Sequence, residues 1–315
     1  MLCATVLLML GCDEAFSPKG PFEQKVAVFG ILSNGTDTQY VRVIKTYDPS
    51  GYNPYEITQD QVIQGATVSV SQGGTIVRYR QTTVPRANTN RFSDNILAYV
   101  AYPYKIRTGK LHMLTVETPS DGMVSASIVV PDTGYLKLLD PMMLSLSRVA
   151  NGTADDLGVQ AFVSPLTYGV MIRFFIDYDT LQNSTWVRVR SEVPKFVIVQ
   201  DDSTQFFVYP KLLKRTSTPG LPGTLQVEGS QFSIAGYKAK LNQLRAQYGN
   251  GVWFRRVLFV LTQVDRNLYV YYNIANGYQD AISIRTDMPD WTNINGGLGV
   301  FGAMVTDSVY YDIPD

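Results

Sequence analysis

Few side chains in this chain could do chemistry. The only histidine is His112, set in a strand-like stretch beside Met113 and Leu114. A hydrogen-bonded core or surface imidazole is expected there rather than a catalytic base. The two cysteines, Cys3 and Cys12, both fall within the first dozen residues. The rest of the chain therefore has neither a disulfide framework nor a cysteine metal site. With one histidine and no later cysteine, most zinc constellations and the Ser-His-Asp and Cys-His schemes drop out. No cofactor and no metal are expected. Asp155-Asp156 and Asp201-Asp202 are adjacent carboxylates without the D-x-D-x-D-G spacing of a calcium loop, and they read as solvated turn residues. A hydrolase built on two carboxylates distant in sequence would leave no local signature, and it stands as a minor alternative.

Two further groups could contact a ligand. Gly297, Gly299 and Gly302 spell G-x-G-x-x-G. A dinucleotide site needs a strand before that motif and a helix N-terminus after it, to bring backbone N–H groups to the pyrophosphate. Here Pro289, Asp290, Trp291 and Asn293 precede it, and too little chain follows for the helix and the next strand. The glycines, with Gly296, are expected to permit left-handed or closely packed backbone, with Phe301 plugged into the core. Trp186, Trp253 and Trp291 could offer flat faces to a glycan or a peptide. Trp253 lies in an apolar run, so core packing is expected for it. Trp291 sits in a polar loop and is the best candidate for an exposed ligand contact.

The elements that must position these residues are mostly strands. The 315 residues suggest two modules or one large β unit, and 45% hydrophobic content can fill a core. The 27 basic and 27 acidic residues balance, so no field attracts nucleic acid or an anionic membrane surface. Twenty tyrosines, with many Thr, Val and Ile, favour pleated surfaces. Strands are expected at 25–32, 40–47, 66–71, 75–79, 111–117 and 123–130, with Asn34-Gly35 and Gly73-Gly74 as turns. This spacing argues for an antiparallel β-sandwich over 25–133, closed by Pro131-Asp132-Thr133-Gly134. Residues 134–315 read as a β-rich α+β domain. Its expected strands are 169–178, 185–190, 196–200, 205–209 and 252–264. One helix is expected near 233–248, capped by Ser233 and Gly249, and a second near 265–276, with Leu268, Tyr271 or Tyr272, and Ala275 inward and Gly277 as its stop.

Residues 1–11, MLCATVLLMLG, are too short an apolar run to cross a bilayer and have the length of a signal-peptide core. Gly11-Cys12 resembles the lipobox of bacterial lipoproteins, in which the leader is removed and the cysteine carries the lipid. Leu10 is bulkier than usual there, and no basic residue precedes the apolar run. Residues 12–24 then form a lipidated tether. Asp13-Glu14 resembles the acidic surface-export signal of Bacteroidetes lipoproteins.

Asn293-Ile294-Asn295-Gly296-Gly297-Leu298-Gly299-Val300-Phe301-Gly302 is similar to the closing signature of the DUF4249 lipoproteins of Bacteroidetes. Gln64-Gly65-Ala66-Thr67-Val68, Ser125-Ala126-Ser127 before Val130-Pro131, and the aromatic helix at 268–272 resemble that family's other elements in order. The resemblance implies an outer-membrane lipoprotein with an N-terminal Ig-like sandwich, in the company of TonB-dependent receptors, and no known activity. Asp179-Thr180-Leu181 and Asp307-Ser308-Val309 also resemble the O-glycosylation triplet of that phylum. The expected function is thus non-catalytic: a surface lipoprotein anchored at Cys12 and serving a TonB-dependent transporter. A stand-alone adhesin or structural envelope protein is the alternative.

Overall fold

The computed structural model describes residues 21–49, 53, 57–87, 89–90, 92–152, 156–200, 204–218, 224–276 and 291–314. Cys12 and the tether up to residue 20, Asp155, Asp201, Asp202 and Gly277 lie outside them.

In the first part of the chain the strands are β1 (Val26–Ser33), β2 (Gln39–Lys45), β3 (Thr67–Gln72), β4 (Thr75–Arg78), β5 (Arg80–Val84), β6 (Ile96–Ala101), β7 (Leu111–Glu117) and β8 (Met123–Val129). Next come β9 (Tyr135–Leu138), α1 (Leu146–Asn151), β10 (Leu157–Val163), β11 (Gly169–Gln182), β12 (Thr185–Val193), β13 (Phe196–Gln200), β14 (Thr204–Val208), β15 (Leu213–Lys214) and β16 (Gln226–Phe232). The chain ends with α2 (Ile234–Tyr248), β17 (Val252–Val264), α3 (Arg266–Asn276) and β18 (Leu298–Asp312). The fold is mainly β, with the two expected helices at α2 and α3 and the short α1 in addition.

One long sheet organises the molecule, in the order β12-β11-β17-β18-β1-β2-β6-β5. Its centre joins the ends of the described chain: β1 pairs parallel with β18, from Ala27 opposite Leu298 to Ser33 opposite Met304. Every other pairing that β1, β11 and β17 make is antiparallel. Strand periodicity then sorts side chains to two faces. Odd residues of β18 point one way: Phe301, Ala303 and Val305 enter one core, and Val309 and Tyr311 pack on a second.

The first core lies between β1, β2 and β6 and the four-stranded sheet β4-β3-β7-β8, with Val28, Val41 and Tyr99 meeting Val70, Leu114, Val116 and Ala126. The second lies between β11 and β17 and the three-stranded sheet β16-β10-β9, backed by α2. There Phe174 stacks on Phe259 at 4.5 Å and meets Phe232 edge-on at 5.5 Å. The expected boundary at 133/134 separates Val130, in the first core, from Leu136, in the second. The C-terminal strand serves both. The fully buried Gln263 pins this crossover: its Oε1 accepts from Ser164 N and Thr167 Oγ1 at 2.8 Å, and its Nε2 donates to the Asp132 carbonyl at 3.3 Å.

On the opposite face of the long sheet, α3 crosses the centre. A Cβ built on Gly302 would stand 2.8 Å from Leu268 Cβ, and Tyr271 meets Phe29 at 6.0 Å. Among the described residues, no helix is long and apolar enough to cross a membrane.

Candidate binding surface

Beyond α3, no other described element lies on the outer face of the long sheet over β12, β11, β17 and β18, where Trp186, Trp253 and Tyr310 are exposed. Asp177 and Asp179 stand two apart on β11, so they share this face. Antiparallel register sets Arg190 and Arg188 of β12 opposite them. On the other side lies β17, where a register shift at Asp177/Tyr178 puts Arg256 opposite Asp177 and Trp253 opposite Asp179. Such a bulge re-aims a side chain. Here it leaves Arg255 reaching Asp179 as its neighbour Arg256 reaches Asp177.

Each carboxylate thus sits between two guanidiniums. Asp177 accepts from Arg190 at 2.6 and 3.0 Å and from Arg256 Nε at 3.2 Å. Asp179 accepts from Arg188 Nε at 2.9 Å and from Arg255 Nε at 2.6 Å. The Arg190 hydrogen bond holds the Asp177 carboxyl below the usual carboxylate range, and the bonds from Arg188 and then Arg255 do the same for Asp179. Both are ionised at neutral pH. Neither carries the proton that the acid of a glycosidase must donate.

Two carboxylates stand against four guanidiniums, and with exposed Asp312 opposite Arg256 the patch keeps one net positive charge. Aromatic rings hold the cations flat: Arg256 lies 3.9 Å from the Tyr310 ring centroid and Arg255 5.2 Å from that of Trp253. Trp186, on β12 beside Arg188, is 53% exposed and Trp253 61%. Trp, Tyr and Arg are the residues that dominate binding hot spots.

The expectation for Trp253 is therefore corrected. It lies in an apolar run, but β17 extends past the core at its start, so its first residues alternate between half-buried and exposed until Val257. Trp291 is half-buried and lies outside the strands that carry the patch. His112 is wholly buried, with Nδ1 3.0 Å from the Lys110 carbonyl and Nε2 against the Gln72 carboxamide. Thr180 is fully buried, which closes the first of the two glycosylation-like triplets, while Ser308 is exposed. Asp156 lines an open cleft of about 580 Å³ with Gln160, Lys195 and Gln231. Among the described residues, no cluster of three or more His, Cys, Asp or Glu is arranged to hold a metal.

The glycine motif is structural. Gly296 and Gly299 have φ of +78° and +105°, and a Cβ on Gly297 would meet the Val26 carbonyl at 2.6 Å. The Asn293 side chain pairs with both backbone groups of Phe301, at 2.7 and 2.9 Å, and Ile294 and Phe301 fill the first core. Buried Asp265 caps α3, accepting from Asn267 N and Leu268 N, and also takes Ala303 N at 2.8 Å. The motif thus locks the last strand to the first strand and to α3.

Sequence reasoning passed over the four arginines and two aspartates. The signal was present as D-x-D and R-x-R on the two arms of one hairpin, Ile176–Asp179 and Val187–Arg190. Reading it requires the register, which the Asn183-Ser184 turn sets with φ of 47° and 64° at both residues.

A family model described as a domain of unknown function (DUF4249) matches residues 13–309. No curated protein matches. Among solved structures, similarity extends to the C-terminal globular domain of an oligosaccharyltransferase from Pyrococcus abyssi, at 11% identity over 73% of this chain and 45% of that one, with a TM-score of 0.25. A DUF4785 family protein from Legionella pneumophila matches at 7% identity over 75% of this chain and 50% of that one, with a TM-score of 0.21. The chain spans half or less of the length of each.

Proposed function

Because the chain belongs to the DUF4249 family, we propose that it is an outer-membrane lipoprotein, anchored through Cys12 and exposed at the cell surface, that binds rather than catalyses as an accessory of a TonB-dependent transporter. The observation that carries the binding role is the outer sheet face, where two ionised aspartates hold four arginines in place beside two exposed tryptophans. Such a surface has its donors preorganised and its carboxylates already engaged, which suits recognition and not proton transfer. The anchor rests on Gly11-Cys12 and the apolar run before it. More than one acyl chain on that cysteine would give stable attachment, at about 0.8 kcal/mol per buried methylene.

The test is a pull-down of the lipidated protein from gently solubilised outer membranes, with mass spectrometry of what accompanies it. A stoichiometric TonB-dependent barrel is expected. Recovery of the protein alone would sink the transporter role in its stable-complex form and leave an adhesive or structural surface protein. Replacing Cys12 by Ser should release the protein from the membrane fraction, and retention there would remove the anchor from the proposal.

A further inference from the structure

The chemistry of the bare sheet face narrows what can lie on it. Arginine and tryptophan side chains donate hydrogen bonds and accept none. The acceptors at the centre, on Asp177 and Asp179, are taken by the arginines themselves. Arg255 and Arg256 give only Nε to these carboxylates, so their terminal nitrogens stay available. Exposed Asp312, opposite Arg256 in register, is an acceptor at the margin.

The ligand must therefore be rich in acceptors and anionic. It must also have flat, weakly polar surfaces for Trp186 and Trp253, which strand spacing sets about 12 Å apart across the sheet. An extended peptide fits less well, because the carboxylates at the centre of the face are already engaged and the free one, Asp312, lies at the margin. β11 and β17 are each paired on both sides, so the backbone edge beside the patch is that of β12, at the end of the sheet. A nucleic acid presents a dense row of phosphates, whereas this patch carries one net positive charge. Among the described residues the face lines none of the five best-formed clefts, which favours a polymer laid across it over a small molecule enclosed by it.

We propose that this face binds a carboxylated polysaccharide, its carboxylates on the outer edges of Arg188, Arg190, Arg255 and Arg256 and its sugar rings on Trp186 and Trp253. The assignment rests on the reading of the chain as a surface binding module and names its ligand class.

The test is calorimetric titration of the full chain in non-ionic detergent with polygalacturonate, uncharged dextran and poly-L-glutamate of matched length, at low and moderate salt. Polygalacturonate is expected to bind at least tenfold more tightly than either of the others. Trp253→Ala and Arg255→Gln should each weaken it about tenfold, the loss of one good contact or charged hydrogen bond. Trp253 is largely exposed, so Trp253→Ala should keep the parent's melting temperature, while Arg255→Gln, with Arg188 still on Asp179, should lower it only slightly. Equal binding of poly-L-glutamate would overturn the assignment in favour of an acidic protein partner. Binding untouched by both substitutions would place the ligand elsewhere and equally overturn it. Absence of any binding would overturn it too, and the barrel pull-down, scored separately, would show whether the accessory role survives without this ligand.

Discussion

Replacing Gly299 with Ala should damage the fold more than a glycine substitution elsewhere in the sheets, and the amount can be worked from geometry. Two costs combine. Gly299 has a φ of +105°, outside the range that L side chains adopt readily. Left-handed backbone costs a non-glycine residue about 1–2 kcal/mol. The added Cβ would also stand 2.1 Å from the carbonyl oxygen of Val28, its partner on β1. That atom belongs to backbone held in the sheet, so β1 and β18 must part. Overpacking of this kind costs about 1–3 kcal/mol. The sum, about 2–5 kcal/mol, is a large share of the about 5–15 kcal/mol that holds a native protein together.

Two control substitutions separate the costs. Gly74 has a φ of +85° with nothing within 4 Å of a built Cβ, so Gly74→Ala carries the conformational cost alone. Gly302 has no left-handed φ, but its Cβ would meet Leu268 Cβ at 2.8 Å and Asp265 Oδ1 at 3.1 Å, so Gly302→Ala carries the contact cost alone. Urea unfolding followed by tryptophan fluorescence gives the three free energies. The expected order is Gly299→Ala worst, with Gly74→Ala losing about 1–2 kcal/mol and Gly302→Ala about 1–3 kcal/mol. If Gly299→Ala falls within about 0.5 kcal/mol of Gly74→Ala, the close approach of β1 to β18 does not bear on stability and the structural reading of the motif is refuted.

Two more outcomes follow from buried ionisable groups. Burial holds the His112 imidazole below its ordinary pKa, outweighing the hydrogen bond to the Lys110 carbonyl. The unfolded chain thus binds a proton near pH ~6.5 that the folded chain resists, so the contribution of His112 is complete above that pH and declines as pH falls, by at most about 1.4 kcal/mol per unit. His112→Gln should flatten the stability profile between pH 7 and 5 relative to wild type, and identical slopes would contradict this. For Asp265, Ala should cost about 2 kcal/mol by removing the cap of α3 and stranding Ala303 N–H. Since burial raises this carboxyl, its contribution falls as pH rises through its folded pKa. The deficit measured by urea unfolding should therefore be larger at pH 4 than at pH 7, and the reverse order would show that the carboxylate is not desolvated.

Much of the fold was legible where one face of a strand meets water and the other meets core. Val124, Ala126, Ile128 and Val130 alternate with polar or exposed neighbours, and all four are buried. Gly73-Gly74 gives the tight turn its composition predicts, with positive φ at both residues. Ser233 caps α2 by accepting from Ala235 N and Gly236 N, and Gly249 ends it. Strands β5, β6, β9, β10 and β16 carried weaker signals. Thr82 and Thr83 of β5, or Glu228, Gly229 and Ser230 of β16, show no apolar alternation, because neighbouring strands and hydrogen-bonded side chains hold these segments in place. The parallel pairing of β1 with β18 joins residues some 270 apart, and no local pattern encodes such a partner. The binding face was hidden for a related reason. Its six charged residues come from three strands, and only the bulge in β17 brings Arg255 and Arg256 to the two aspartates.

The position of β1 also decides how the molecule bears load. A pull on the segment before Val26 acts along β1, which is flanked by β18 on one side and β2 on the other. Seven residues of β1 are in register with β18, and an axial pull makes the two strands slide past each other, so their hydrogen bonds resist together instead of peeling one after another. From β18 the force passes sideways through β17 and β11 to β12, which carry the arginines and tryptophans. Tension between the N-terminal segment and anything held on that face thus runs through a single sheet, and none of the three smaller sheets lies in its path.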